Sequence, residues 1–284
     1  MSEFIPVLPQ YLLPKQLLTQ IAGWVARAKG GWFTTALIRR FVHHYRVDMS
    51  EAEQSDCAYY ESFNHFFSRA LRPGARPLAS APLVSPVDGA ISQLGAIAGD
   101  QIFQAKGHNY SSTALVGGDR TLAEHFDNGL FATIYLSPRD YHRIHMPCDG
   151  TLRRMIYVPG SLFSVNPTTA RGVPGLFARN ERVVCVFDSA RGPFVLTLVG
   201  ATIVGSMATV WHGVVNSIRD NRLREWHYEA GAVSLAKGEE MGRFLLGSTV
   251  VMLFGPGHTH FTQFNPEWQP GASVTMGCAL GVSV

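Results

Sequence analysis

Residues 192–218 contain no Asp, Glu, Lys or Arg, and no other feature of the chain restricts its fold so strongly. A run of that length either crosses a membrane or lies inside a protein core. Its composition separates the two. Pro193, Gly200, Gly205, His212, Gly213 and Asn216 interrupt the run, and its other residues are largely Val, Ile, Thr and Phe. Those are strand formers punctuated by glycine turns, which predicts two or three buried strands rather than a spanning helix.

The same texture continues through most of the chain. Of 284 residues, 28 are Gly and 16 are Pro, and most of these lie beyond residue 70 between short apolar runs. Strands are expected over 89–94, 130–136, 152–158, 183–187, 194–199, 201–204, 209–215, 244–254 and 273–284. Helices are expected only around 62–70, around 123–128 and from Pro138, with 164–182 as a long loop. The fold class expected is α+β: a β-rich body over 49–284, with helices gathered at the N-terminus.

The N-terminus differs in both pattern and charge. Leu17, Leu18, Ile21, Trp24, Val25 and Ala28 recur at helical spacing after Pro14, and Gly30-Gly31 ends that run. Trp32, Phe33, Leu37, Ile38, Phe41, Val42 and Tyr45 form a second run, set against Arg39, Arg40, His43, His44 and Arg46. Residues 1–48 hold six basic and two acidic residues, while the other 236 hold 18 basic and 19 acidic. Two basic, aromatic amphipathic helices suit either in-plane contact with anionic lipid or a helical hairpin packed on the body. Concentration of the basic surplus here favours lipid. A body without net positive charge makes nucleic acid an unsuitable partner.

Cys57, Cys148, Cys185 and Cys278 are scattered and form no C-x-x-C pair, so buried, reduced thiols are expected rather than a disulfide scaffold or zinc ribbon. The opening Met-Ser-Glu-Phe-Ile-Pro lacks a basic segment followed by an apolar one, and a reducing cytoplasm is expected.

Three segments have chemical potential. In 137–147, Ser137, Pro138 and Asp140 read as the start of a helix that Pro147 stops, with His142 and His145 on one face. Such a pair suits a metal, a structural role or acid–base catalysis, although no third ligand stands at recognisable spacing. His258 and His260 form a weaker pair. Asp88-Gly89 reads either as a turn or as a carboxylate fixed at a strand end, able to orient a histidine. Gly247-Ser248-Thr249 lies within an apolar strand and reads either as a bulge or as a serine able to attack the carbonyl of Gly247. Val250 stands two residues after Ser248, so the segment is no G-x-S-x-G elbow.

Five segments, in order, are Phe-Asn-His-Phe-Phe-Ser-Arg (63–69), Pro-Val-Asp-Gly (86–89), Lys-Gly-His-Asn-Tyr-Ser (106–111), Tyr-Leu-Ser-Pro-Arg-Asp-Tyr-His-Arg-Ile-His-Met-Pro (135–147) and Gly-Arg-Phe-Leu-Leu-Gly-Ser-Thr-Val (242–250). Together they resemble the bacterial-type phosphatidylserine decarboxylases, with Leu-Gly-Ser-Thr (246–249) as that family's self-processing motif. The resemblance implies a proenzyme that cuts its own Gly247–Ser248 bond, using Asp88, His145 and Ser248 as a triad. His145 would take the hydroxyl proton of Ser248, Asp88 would hold the imidazole, and an N→O acyl shift would give an ester. β-Elimination would then release a β chain, 1–247, and leave an α chain, 248–284, whose dehydroalanine, formed from Ser248, would hydrolyse with loss of ammonia to a covalent pyruvoyl cofactor. That group would form a Schiff base with phosphatidylserine and release CO2, giving phosphatidylethanolamine without a dissociable cofactor or metal. His142 or His145 would reprotonate the carbanion, with His142 contributing to decarboxylation or to phosphate contact. His108 and Tyr110 would belong either to the substrate pocket or to a plain loop. Residues 1–48 would contact anionic lipid at the cytoplasmic face of the cytoplasmic membrane, as a peripheral attachment. A homo-oligomer is compatible with this reading. The rivals are a triad serine hydrolase acting on lipid without self-cleavage, a non-enzymatic lipid-binding protein, and a pyruvoyl enzyme for a soluble amino acid.

Overall fold

The first part of the uncharged run forms the strand Gly192–Val199, which lies within a large antiparallel sheet. The computed structural model describes Gln10 and residues 15–202, 206–216, 221–246, 249–259 and 263–282. The strand order in the large sheet is Arg224–His227, Gly150–Val158, Arg182–Ser189, Gly192–Val199, Thr249–Phe254, Leu130–Tyr135, Gly89–Ala96 and Ser273–Val274. Ser234–Leu235 adds to the edge of Gly150–Val158. The fold is thus α+β and rich in sheet, as the punctuated apolar runs require.

Thr249–Phe254 is central to this sheet. It pairs with Leu130–Tyr135 on one side and with Gly192–Val199 on the other, and all six of its residues are buried. Val250, Met252 and Phe254 enter one hydrophobic core, and Val251 and Leu253 enter the other. Because side chains alternate between faces, slipping this strand by one residue would exchange the two sets, so the register is tightly specified. The residue that follows Ser248 is therefore fixed in the middle of the protein.

A smaller sheet orders Gly213–Val214, Met207–Thr209, Glu240–Phe244 and Arg143–His145. The strand expected over 244–254 is consequently two strands in two sheets, with Gly247 and Ser248, outside the described residues, between them. The expected strand 209–215 is likewise a hairpin of Met207–Thr209 and Gly213–Val214. Ser273–Val274 and Ala279–Val282 replace the long strand expected over 273–284. Ala201 forms a bridge and Thr202 a turn, and the rest of the expected strand 201–204 lies outside the described residues.

Capping side chains place the short helices. Ser62 Oγ accepts from the His65 N–H at 3.2 Å, which starts Phe63–Phe67. Asp119 Oδ1 accepts from the Leu122 N–H at 3.0 Å, so the helix expected around 123–128 begins earlier, as Arg120–Glu124. Asn166 caps Pro167–Gly172 with Pro167 in its first turn, and Leu176–Arg179 follows. The segment 164–182 therefore holds two helices rather than a bare loop.

At the N-terminus α1, Lys15–Arg27, and α2, Trp32–Tyr45, form as their periodicity predicts. Ala26 and Ile38 enter a third core with Val47, Tyr60, Phe63, Phe66 and Phe67, against which Leu246 also packs. Leu17, Ile21, Trp24, Val25, Trp32 and Phe33 remain exposed, Trp32 at 81%. Among the described residues no helix is long and apolar enough to cross a membrane.

Candidate active site

The segment 137–142 does not form the expected helix. Asp140 Oδ2 accepts from the Ser137 N–H at 2.6 Å, and the Asp140 N–H donates to Ser137 O at 3.0 Å, closing a turn. The chain then enters the strand Arg143–His145, which pairs with Glu240–Phe244: His145 opposes Glu240, and Arg143 opposes Arg243. Arg143 reinforces that pairing by donating to Glu240 Oε2 at 2.9 Å and to Ser68 O at 2.9 Å. Sheet bonds satisfy the backbone here in place of helical ones, so His142 and His145 do not share a helical face.

His145 is 9% exposed. Its Nδ1 lies 2.8 Å from Gly238 O and its Nε2 lies 3.0 Å from the Tyr141 hydroxyl. A carbonyl can only accept, so Nδ1 carries the proton and Nε2 accepts from Tyr141. Burial lowers the pKa of this imidazole, while the Gly238 carbonyl and the charges of Glu240 and Asp88 act against that shift. The ring is a neutral base whose lone pair is on Nε2.

Asp88 precedes Gly89, the first residue of Gly89–Ala96. A Cβ at Gly89 would collide with the Tyr135 carbonyl oxygen, so the Asp-Gly pair marks a close approach of strands. Arg76 grips the carboxylate: its Nε lies 3.0 Å from Oδ1 and its Nη2 lies 2.6 Å from Oδ2. The Met276 N–H donates to Oδ1 at 2.8 Å. The other edge of the Arg76 guanidinium holds Glu51, at 3.0 and 2.7 Å. The bonds to Asp88 and then to Glu51 raise the Arg76 pKa. Asp88 thus acts on His145 through its charge, without a direct hydrogen bond.

His142 is fully buried, with its ring centroid 4.0 Å from that of Phe67. Its Nδ1 donates to Asp140 O at 2.8 Å, and its Nε2 has no hydrogen-bond partner among the described residues. Burial, reinforced by the charge of Arg69, drives its pKa down from 6.5 to about 3. Its carbonyl accepts from the Phe244 N–H at 3.0 Å. Both histidines therefore flank the strand that leads into the Leu-Gly-Ser-Thr segment.

A cleft of about 470 Å³ opens beside these residues, lined by Arg69, Arg76, Asp88, Tyr135, Asp140 and Tyr141 among others. Tyr135 opposes Thr249 across the sheet, so the cleft reaches the neighbourhood of the residue bonded to Ser248. Gly247 and Ser248 lie outside the described residues. His108 and Tyr110 lie on the strand His108–Ser111, paired with Gln101–Ala105, and neither lines the cleft. Tyr110 is packed in the second core with Phe177. His258 is buried with its Nε2 3.3 Å from Gly192 O, and His260 is outside the described residues. Among the described residues no group of three His, Cys, Asp or Glu side chains is arranged to hold a metal. The four cysteines are free thiols.

Sequence reasoning missed Arg76, Tyr141 and Gly238 as partners of the two key residues. Tyr141 stood within a quoted segment, adjacent to His142, but nothing local marked Arg76 or Gly238.

Residues 63–282 match the sequence model of the phosphatidylserine decarboxylase family, and residues 5–46 match a second model described as PSD. The phosphatidylserine decarboxylase proenzyme of Polaromonas naphthalenivorans (strain CJ2) is 71% identical over 283 residues, spanning 99% of this chain and 97% of that protein. The proenzyme of the same description from Albidiferax ferrireducens is 70% identical over 280 residues, at 99% and 98% coverage. That of Dechloromonas aromatica is 67% identical over 281 residues, covering 99% of each.

Proposed function

The chain belongs to the phosphatidylserine decarboxylase family, and from that membership we propose how its residues perform the reaction. It is a carboxy-lyase that removes the serine carboxylate of phosphatidylserine as CO2 and leaves phosphatidylethanolamine. A serine hydrolase is disfavoured, because relatives matched along the whole chain are decarboxylase proenzymes.

Processing begins at Ser248. His145, neutral and with its lone pair on Nε2, takes the hydroxyl proton, and the Ser248 oxygen attacks the Gly247 carbonyl. Asp88 stabilises the imidazolium through space, while Gly238 O keeps the ring in the required tautomer. The imidazolium returns its proton to the Ser248 nitrogen as the Gly247–Ser248 C–N bond breaks, leaving an ester. β-Elimination expels Gly247 as the carboxylate end of the β chain, 1–247. Hydrolysis of the dehydroalanine left at 248 releases ammonia and gives the keto end of the α chain, 248–284. The observation that carries this reading is the pairing of Arg143–His145 with Glu240–Phe244, which sets the base beside the strand that runs into the bond to be cut.

The residues present fit a pyruvoyl group at position 248. Thr249, to whose nitrogen it would be joined, is held on both sides by sheet partners, and His142 Nε2 is a buried acceptor with no partner among the described residues. Such a group supplies a carbonyl that withdraws the electrons released when CO2 departs. His142, a buried imidazole kept neutral by its surroundings, serves the proton transfer at the substrate carbon. Residues 1–48 hold the enzyme on the cytoplasmic face of the cytoplasmic membrane, with Trp24, Trp32 and Phe33 entering the lipid interface and the body over 49–284 performing the chemistry.

Mass spectrometry of active protein tests the proposal. The expected species are a 247-residue chain and a 37-residue chain whose first residue carries the mass of a pyruvoyl group. Ser248→Ala should remain a single chain of 284 residues and release no CO2. An active, unbroken wild-type chain would overturn it.

A further inference from the structure

Among the described residues, Arg69 is a buried cation without a counter-ion. It is 4% exposed, and among the described residues its one hydrogen bond runs from Nη2 to Arg139 O at 3.2 Å. Nε and Nη1 are buried with no partner among the described residues, and the guanidinium lies 5.5 Å from the centroid of the Phe66 ring. Among the described residues no carboxylate comes within ion-pair distance. The nearby carboxylates are already engaged: Asp88 and Glu51 by Arg76, and Asp140 by the Ser137 N–H. Burial lowers the Arg69 pKa, and the charges of Asp88, Asp140 and Glu51 only partly offset that cost.

Unmet guanidinium donors in a buried setting are costly unless a ligand completes them. Arg69 lines the cleft that holds Asp88 and Tyr141. Its planar fork matches an oxyanion bearing two oxygens. Phosphatidylserine presents two such groups, the serine carboxylate and the phosphodiester. Their fates differ. The carboxylate loses its charge as CO2 forms, so a cation holding it would stabilise the substrate more than the transition state and slow the reaction. The phosphodiester keeps its charge from substrate to product. Arg46, which follows α2, also lines the cleft, so a headgroup there lies close to the helices that expose Trp24, Trp32 and Phe33.

We propose that Arg69 is the phosphodiester-holding residue of the substrate site, using its free Nε–H and Nη1–H to anchor the lipid headgroup. This rests on the decarboxylase reading above. It adds what separates a phospholipid from a free amino acid at the same centre.

The test uses processed wild-type enzyme labelled with 15N-arginine and titrated with dihexanoyl phosphatidylglycerol. That lipid has a phosphodiester but neither carboxylate nor amine, so it cannot react with the cofactor. The Arg69 Nε–H resonance, assigned by its loss in Arg69→Lys, should move during the titration and stay fixed with dihexanoylglycerol. Arg69→Gln should weaken phosphatidylglycerol binding about 10- to 100-fold, the range for losing charge-assisted hydrogen bonds. It should also raise KM for phosphatidylserine more than it lowers kcat. A fixed Arg69 resonance, or equal phosphatidylglycerol affinity in wild type and Arg69→Gln, overturns the proposal and transfers the anion to the serine carboxylate or to the new C-terminus of the β chain. If Arg69→Gln does not fold, the wild-type titration alone decides. Chain cleavage and CO2 release by the wild type are measured separately, so a failed headgroup site is distinguishable from a failed decarboxylase assignment.

Discussion

The buried imidazole of His142 makes the stability of the precursor depend on pH in a calculable way. In the unfolded chain this residue titrates near its ordinary 6.5, whereas burial beside Phe67 and the charge of Arg69 lower it to about 3 in the fold. Between those values the unfolded state binds a proton that the folded state refuses, so stability is complete above the unfolded pKa and falls as the pH drops towards the folded one. From about pH 7 to about pH 5, this single group should remove about 2 kcal/mol of unfolding free energy. The amount is insensitive to the folded value, because His142 stays neutral in the fold throughout that window. The measurement is urea unfolding of the Ser248→Ala single chain at both pH values, with and without His142→Asn. Asparagine retains a donor for Asp140 O but does not titrate. His145, also lowered by burial, is common to both proteins and cancels in the difference. The His142→Asn protein should lose about 2 kcal/mol less than its parent over the window. Equal losses in the two proteins would refute the claim that His142 is held neutral by burial.

Other perturbations probe the remaining contacts. Arg76→Met leaves Asp88 and Glu51 without the cation between them, and should cost about 3 kcal/mol in urea unfolding, with Arg76→Lys intermediate. Tyr141→Phe frees His145 Nε2, so self-cleavage followed on a denaturing gel should be faster than in wild type; a slower reaction would mean the hydroxyl takes part in it. Gly89→Ala drives a Cβ into the Tyr135 carbonyl and should lower the thermal midpoint sharply while shifting the strand that carries Asp88. Trp24→Ala with Trp32→Ala removes exposed aromatic surface only, so binding to anionic vesicles should weaken about tenfold while the thermal midpoint stays unchanged.

Much of the architecture is legible in the sequence because it depends on local periodicity. The uncharged run reads as strand from its β-branched and aromatic residues, and Gly192–Val199 is strand. The helical spacing of Leu17, Ile21 and Trp24 identifies α1, and the Trp32–Tyr45 pattern identifies α2. Residue types at the site are legible too, since an Asp before a strand and two closely spaced histidines limit the available chemistry. The segment 137–145 marks where this reading stops. Its Ser-Pro-x-Asp pattern satisfies the rules for a helix start, yet Asp140 turns back to the Ser137 N–H, and a strand about one hundred residues later takes up the backbone of Arg143–His145. The break in 244–254 has the same origin: no local signal states that Glu240–Phe244 joins one sheet and Thr249–Phe254 the other.

Partners were decided in the same way. The sequence by itself determined that Asp88 and His145 would be present, that the strand after Asp88 would form, and that the N-terminal helices would be basic and aromatic. Only the tertiary structure decided that Arg76 and Met276 hold Asp88, that Gly238 O selects the His145 tautomer, and that Arg69 finds no counter-ion among the described residues. The physical reason is that a repeating pattern of apolar side chains acts over a few residues. A buried polar group instead must find its partner among all the donors and acceptors that folding brings near it, and those come from anywhere along the chain.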